Sequence, residues 1–311
     1  MKRAGQLAAA AALLLVFRSF AALPSTPAHT ATTNAPPRAA LTNAPVTWTE
    51  VKAEEMDARG LQPTGKTLLA EEGDKWKHAQ TAHFVMHFNA SEGTNFAWKV
   101  AVQSEFFYRY ISQELGGAQD RYPCHSHIFT FRNETRWKKF LKTQTEVDKW
   151  AYSFAQGLSM FLQQGKNSEQ QSGVLAHEMT HLMVNHFIEG RPPLWLNEGV
   201  AEYYGEFGLS EFRGLKRHPG SVFKSDGLRE PMTLERLFAI VKYPGDEKEV
   251  HKLYATGKYF VGFLMIKKPK EIFPRFLADA AAGTNTVEAL KYRYGFADLA
   301  TAQKEFTHFY H

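Results

Sequence analysis

An α+β fold with a mostly helical C-terminal part is what this sequence predicts, on three observations. Short strand-like runs lie at 82–88, 127–131 and 150–163. Between the first two, apolar residues recur at helical spacing over 94–115. From about residue 168 onward, Pro and Gly punctuate a succession of helical stretches.

Taken in order along the chain, Lys2 and Arg3 precede an apolar run over 7–17 and small residues over 19–22. That succession is expected of a secretory signal peptide covering 1–22, and hence of a secreted or periplasmic protein. The apolar run is short for a bilayer span and Arg18 closes it, so no stable membrane insertion is expected after cleavage; an uncleaved tether is the alternative. Residues 23–48, rich in Ala, Thr, Pro and Asn with almost no charge, read as a low-complexity spacer. Residues 49–80 form a poorly defined lead-in, and 81–311 the folded domain. In 82–88, His83 and His87 alternate with Phe84, Met86 and Phe88, which predicts a half-buried strand with its histidines toward solvent. Ala97, Val100, Ala101, Ser104, Phe107, Tyr108, Ile111 and Leu115 set the apolar stripe of the following helix, and Gly116-Gly117 stops it. A second strand over 127–131 leads to a short helix over 134–142, and the segment 150–163 reads as a strand pair bent at Gly157.

Ser168 followed by Gln171 has the spacing of a capping box, and Gly190 with Pro192 and Pro193 ends the helix that follows. A further helix is expected over 194–204. Within the first of these two helices stands His177-Glu178-Met179-Thr180-His181. Residues four apart share a helix face, so both imidazoles can reach one ion, and Glu178 beside the first can take a proton from water. If the chain reverses near Gly190, Glu198 falls level with His181 and Glu202 level with His177 on an adjacent antiparallel helix. The spacing places Glu198 as third ligand, with Glu202 accepting a hydrogen bond from the far nitrogen of His177; exchanged roles for the two carboxylates are the alternative. His186 lies about 180° around the helix from His177 and reads as a surface or core-edge residue. Cys124-His125-Ser126-His127 is too compressed for a closed tetrahedral site and is set aside.

The run HEMTH followed by WLNEGVAEYY resembles the gluzincin metallopeptidases, the zincin branch that contains thermolysin and aminopeptidase N, and within it the peptidase MA-like group of small secreted bacterial proteins. The resemblance spans roughly 81–311, but only 177–204 match a specific motif. It implies a zincin-like domain, with a small mixed sheet packed on the HExxH helix. It also implies one Zn²⁺ on His177, His181 and Glu198, Glu202 and Asn197 supporting the ligands, and Glu178 as general base. In this branch the hairpin before the metal helix supplies an edge strand for extended substrate, which corresponds to 150–163. A downstream Tyr or His steadies the oxyanion; Tyr254 is the candidate, ahead of His251 and Tyr259. The expected function is hydrolysis of peptide bonds in a peptide or protein substrate, with endopeptidase action favoured because no GxMxN-type segment appears. The alternatives are a catalytically silent binding protein on this fold and a zinc hydrolase for a non-peptide amide such as a cell-wall substrate. The metzincin pattern is excluded, since Val184 and Phe187 stand where its Gly and third His would be.

Composition narrows the partners. The formal charge of +5 includes Lys2, Arg3 and Arg18, and drops to about +2 without them, so the basic balance gives no argument for nucleic acid. Arg136-Trp137-Lys138-Lys139-Phe140 reads as a solvated helix face as readily as a nucleic-acid contact. With Cys124 as the single cysteine, no internal disulfide is available and stability must come from a packed core.

Overall fold

A computed structural model describes residues 45–72, 75–116, 123–144, 151–165, 167–215 and 217–310, so the predicted signal peptide and nearly all of the predicted spacer lie outside the described residues. Among the described residues six strands are formed: β1 (Thr49–Val51), β2 (Trp76–Gln80), β3 (Phe84–Asn89), β4 (Ser126–Phe131), β5 (Ser153–Gln156) and β6 (Ser159–Gln163). They make one mixed sheet in the order β1-β2-β3-β4-β6-β5. β1, β2 and β3 are antiparallel neighbours, β3, β4 and β6 run parallel, and β5 turns back antiparallel to β6. The helices are α1 (Pro63–Glu71), α2 (Asn95–Glu114), α3 (Glu134–Gln144), α4 (Ser168–Phe187), α5 (Leu194–Phe212), α6 (Pro219–Asp226), α7 (Leu234–Ala239), α8 (Glu247–Lys267), α9 (Ile272–Ala281), α10 (Thr286–Tyr294) and α11 (Leu299–Tyr310). The architecture is thus α+β, with a mixed sheet and a helical C-terminal part.

The period-two alternation of the strands sorts their side chains onto two covered faces. Phe84, Met86, Ile128, Met160 and Leu162 join the main core with residues of α2, α4 and the later helices. Trp76, Phe129, Phe131, Phe154 and Phe161 build a second core with Leu61, Leu68, Trp137 and Phe140. Each of these large side chains contributes about 1.5–3 kcal/mol by leaving water, which lets the fold stand without a disulfide.

The second core corrects two expectations. Residues 49–80, set apart as a lead-in, add β1 and β2 to the sheet and lay α1 across its far face. His87, expected at a solvent face, is consequently fully buried in a row of imidazoles. Its Nδ1 lies 2.8 Å from His78 Nδ1 and its Nε2 lies 2.9 Å from His127 Nδ1. His83 is only partly exposed; it pairs with Glu105 at 2.8 Å and stacks on Tyr108. His186 is buried too, against Tyr108, Phe187 and Ser126 of β4, because α4 lies on the sheet over that length.

Other local signals read through directly. β5 and β6 join at Gly157, whose positive φ of 56° opens a two-residue turn between Gln156 and Ser159. The cap of α4 sits one residue before the predicted Ser168: Asn167 Oδ1 accepts from Gln170 N, and Gln171 reaches Gly165 N. Gly190 has a φ of 93° and separates α4 from α5, which continues past 204 to Phe212.

Candidate metal centre

The reversal at Gly190 lays α4 and α5 side by side, and a second close pairing sets α8 against α5. Glycine makes both approaches possible. A Cβ on Gly205 would lie 3.3 Å from His177 N, and a Cβ on Gly199 would lie 2.7 Å from the carbonyl carbon of Gly257 in α8. His177, His181, Glu198 and Tyr254 are thereby held on backbones at close quarters.

Three ligand-type atoms meet where the helices converge. His177 Nε2 and His181 Nε2 are 3.1 Å apart, and Glu198 Oε2 lies 3.4 Å from the first and 3.5 Å from the second. Donors at about 2.0–2.1 Å from a tetrahedral ion lie about 3.3–3.4 Å from one another, so the triangle has the size a single ion requires. Glu198 is almost fully buried, and its Oε2 has no hydrogen-bond partner among the described residues; a cation would satisfy it. The group His177, His181 and Glu198 could therefore hold a metal ion.

The surrounding groups orient this set. His177 Nδ1 lies 3.0 Å from Glu202 Oε1, which places its proton on that nitrogen and leaves the Nε2 lone pair toward the centre. Glu198 Oε1 accepts from Tyr243 Oη at 2.7 Å and from Asn197 Nδ2 at 3.3 Å, so Oε2 alone is left to face the imidazoles. Glu178 is buried beside the triangle; its Oε1 accepts from Ser153 Oγ at 3.0 Å, and its Oε2 has no partner among the described residues. Tyr254 packs its ring near His177, with centroids 6.1 Å apart, and its buried hydroxyl lies beside that of Tyr243.

The protonation pattern follows from this crowding. Burial opposes a charge on His177, but the carboxylates of Glu198 and Glu202 beside it outweigh burial and raise its pKa well above the usual imidazole range. Burial pushes Glu198 up, yet the two imidazoles beside it, His181 first, hold it well below the usual carboxylate range. Burial first, and then the Glu198 charge, raise the phenols of Tyr243 and Tyr254, so both keep their O–H protons.

Of the residues that the sequence singled out, His177, His181, Asn197, Glu198, Glu202 and Tyr254 meet here, and Glu178 adjoins His177 on α4 with its carboxylate on Ser153. His251 is exposed on α8 and pairs with Glu247, and Tyr259 bonds its hydroxyl to Gly227 O. Two residues at the site carried no sequence signal strong enough to find them: Ser153 on β5 and Tyr243 in the Tyr-Pro-Gly loop before α8. No known protein-family profile matches the chain, and no curated protein is detectably similar to it.

Proposed function

We propose that this protein is a zinc-dependent peptidase of the zincin type, exported from the cell that makes it and acting on extended peptide or protein chains. The observation that carries the reading is a buried carboxylate with one unpartnered oxygen, Glu178, set beside a ligand triangle of tetrahedral size. The His, His, Glu donor set suits Zn²⁺ and leaves a coordination position over. A zinc ion bound there supplies Lewis acidity, so that a water molecule can lose a proton near neutral pH.

Within this reading Glu178 takes the proton of the attacking water and passes it to the leaving amine. The Tyr254 hydroxyl, which keeps its proton, donates to the oxygen of the scissile carbonyl as it gains charge. β5 lies at the sheet edge, and a substrate in extended form adds to it as a further strand, bound through its backbone. Endo-action accords with that mode, because strand addition needs no free terminus.

The test is to load wild type and Glu178→Gln with zinc and assay casein hydrolysis in the same samples. One zinc per chain in both is expected, with the variant slower by about 10²–10⁴-fold. A Glu178→Gln protein that cleaves like wild type overturns the mechanism. A wild type that binds zinc and leaves casein intact overturns the peptidase reading and turns attention to a non-peptide amide.

A further inference from the structure

We propose that Ser153 is a positioning residue that ties substrate binding to the general base: its backbone receives the extended peptide while its hydroxyl fixes the Glu178 carboxylate. The inference rests on the peptidase reading and extends it to a residue outside the motif.

The register of the edge hairpin carries the argument. Ser153 stands opposite Leu162, and Gln163 N donates to Tyr152 O at 2.9 Å, so Tyr152 and Gln163 form a hydrogen-bonded pair. In an antiparallel ladder such pairs alternate with pairs whose backbone groups point away from each other. Ser153 therefore turns its N–H and C=O outward, to the side of β5 where no strand pairs among the described residues, and Ala155 does the same two residues on. Ala155, half-buried, and Ser153, nearly covered, carry the backbone groups with which an added strand would pair. Side chains at Ser153 and Leu162 share the face that packs on α4, and there Ser153 Oγ donates to Glu178 Oε1 at 3.0 Å. The bond occupies one carboxylate oxygen and leaves Oε2 for the reacting water. Ser153 is itself 4 % exposed and fixed in the sheet, so the carboxylate is oriented by a rigid element rather than by a loop. A peptide drawn onto the outward N–H and C=O of Ser153 is placed in register with the base by a single residue.

The experiment compares wild type, Ser153→Ala and Ser153→Thr on the casein-derived peptide that wild type cleaves fastest. Alongside the rates it measures the zinc dissociation constant of each protein. It also measures binding of the same peptide, fluorescein-labelled, to the Glu178→Gln protein with and without Ser153→Ala, which needs no turnover. Ser153→Ala is expected to lower kcat by about 10- to 100-fold, since the base loses its orientation. Its KM, its zinc affinity and the binding of the labelled peptide should stay within about twofold, because the backbone contacts and the ligands are untouched. Ser153→Thr, which keeps the hydroxyl and suits a strand, should restore kcat. Wild-type kcat in Ser153→Ala overturns the proposal, as does a loss of zinc or peptide binding that matches the loss of rate. If zinc-loaded wild type cleaves no casein, the peptidase reading fails first and is identified as the failure.

Discussion

Replacing Gly199 with Ala tests whether the helix crossing beneath the site is as tight as described. The added Cβ would sit 2.7 Å from both the carbonyl carbon and the oxygen of Gly257, whereas ordinary van der Waals contact begins at 3.4 Å. Both partners are helix backbone, so no side chain can swing aside, and α5 and α8 must separate by about 0.7 Å at this point. Overpacking of this kind costs about 1–3 kcal/mol; with a urea m-value of about 2 kcal/mol/M, the midpoint should fall by about 0.5–1.5 M. The second consequence is local. Glu198 precedes Gly199 and Tyr254 lies one turn before Gly257, so the separation moves a ligand relative to its surroundings and zinc affinity should fall with stability. Gly257→Ala should behave alike, its Cβ being 2.8 Å from Trp195 O. Gly245→Ala is the control, with no atom of the described residues within 4 Å of its Cβ. A Gly199→Ala protein with wild-type urea midpoint and zinc affinity would refute the close crossing and the account of how the site is assembled.

Tyr243→Phe removes the donor 2.7 Å from Glu198 Oε1, and zinc affinity, measured by chelator competition, should weaken by about 10- to 100-fold; an unchanged constant would mean that Tyr243 merely fills space. Tyr254→Phe should keep zinc and lose kcat, and equal losses of both would assign it to the metal pocket instead. Acid should unfold the protein partly through the buried histidines. Burial holds His127 at about 4 against 6.5 in the unfolded chain, so the unfolded state takes up its proton first as pH falls. Stability is lost from pH 6.5 down to about 4, by about 3 kcal/mol from His127 alone. Urea titrations at several pH values should therefore show a shallower decline in His127→Asn than in wild type, and parallel declines would refute the assignment.

The candidate metal ligands were legible because their geometry is local. Four residues on a helix place His177 and His181 together, and one reversal marked by Gly190 and two prolines brings Glu198 and Glu202 alongside. Tyr243 stands forty-five residues from Glu198, on an irregular loop with no periodicity to read. Ser153 is twenty-five residues before Glu178, and its role depends on which hairpin residues turn inward, a matter of register rather than of composition. His87 misled for the opposite reason. Alternation of His with Phe and Met gives the period of a strand, yet says nothing of what covers the polar side; the cover comes from residues 57–72, where no pattern was visible.

The row of His78, His87 and His127 has a direction. A neutral imidazole offers one donor and one acceptor, so two bonds among three rings admit two arrangements of protons. In one, the protons point toward His127, and His127 Nε2 carries an N–H. In the other, His127 Nδ1 donates to His87, His87 Nδ1 donates to His78, and His127 Nε2 keeps a lone pair. Passing from one arrangement to the other requires all three rings to change tautomer in concert. A single nitrogen shift measured on any one of them therefore assigns the other two.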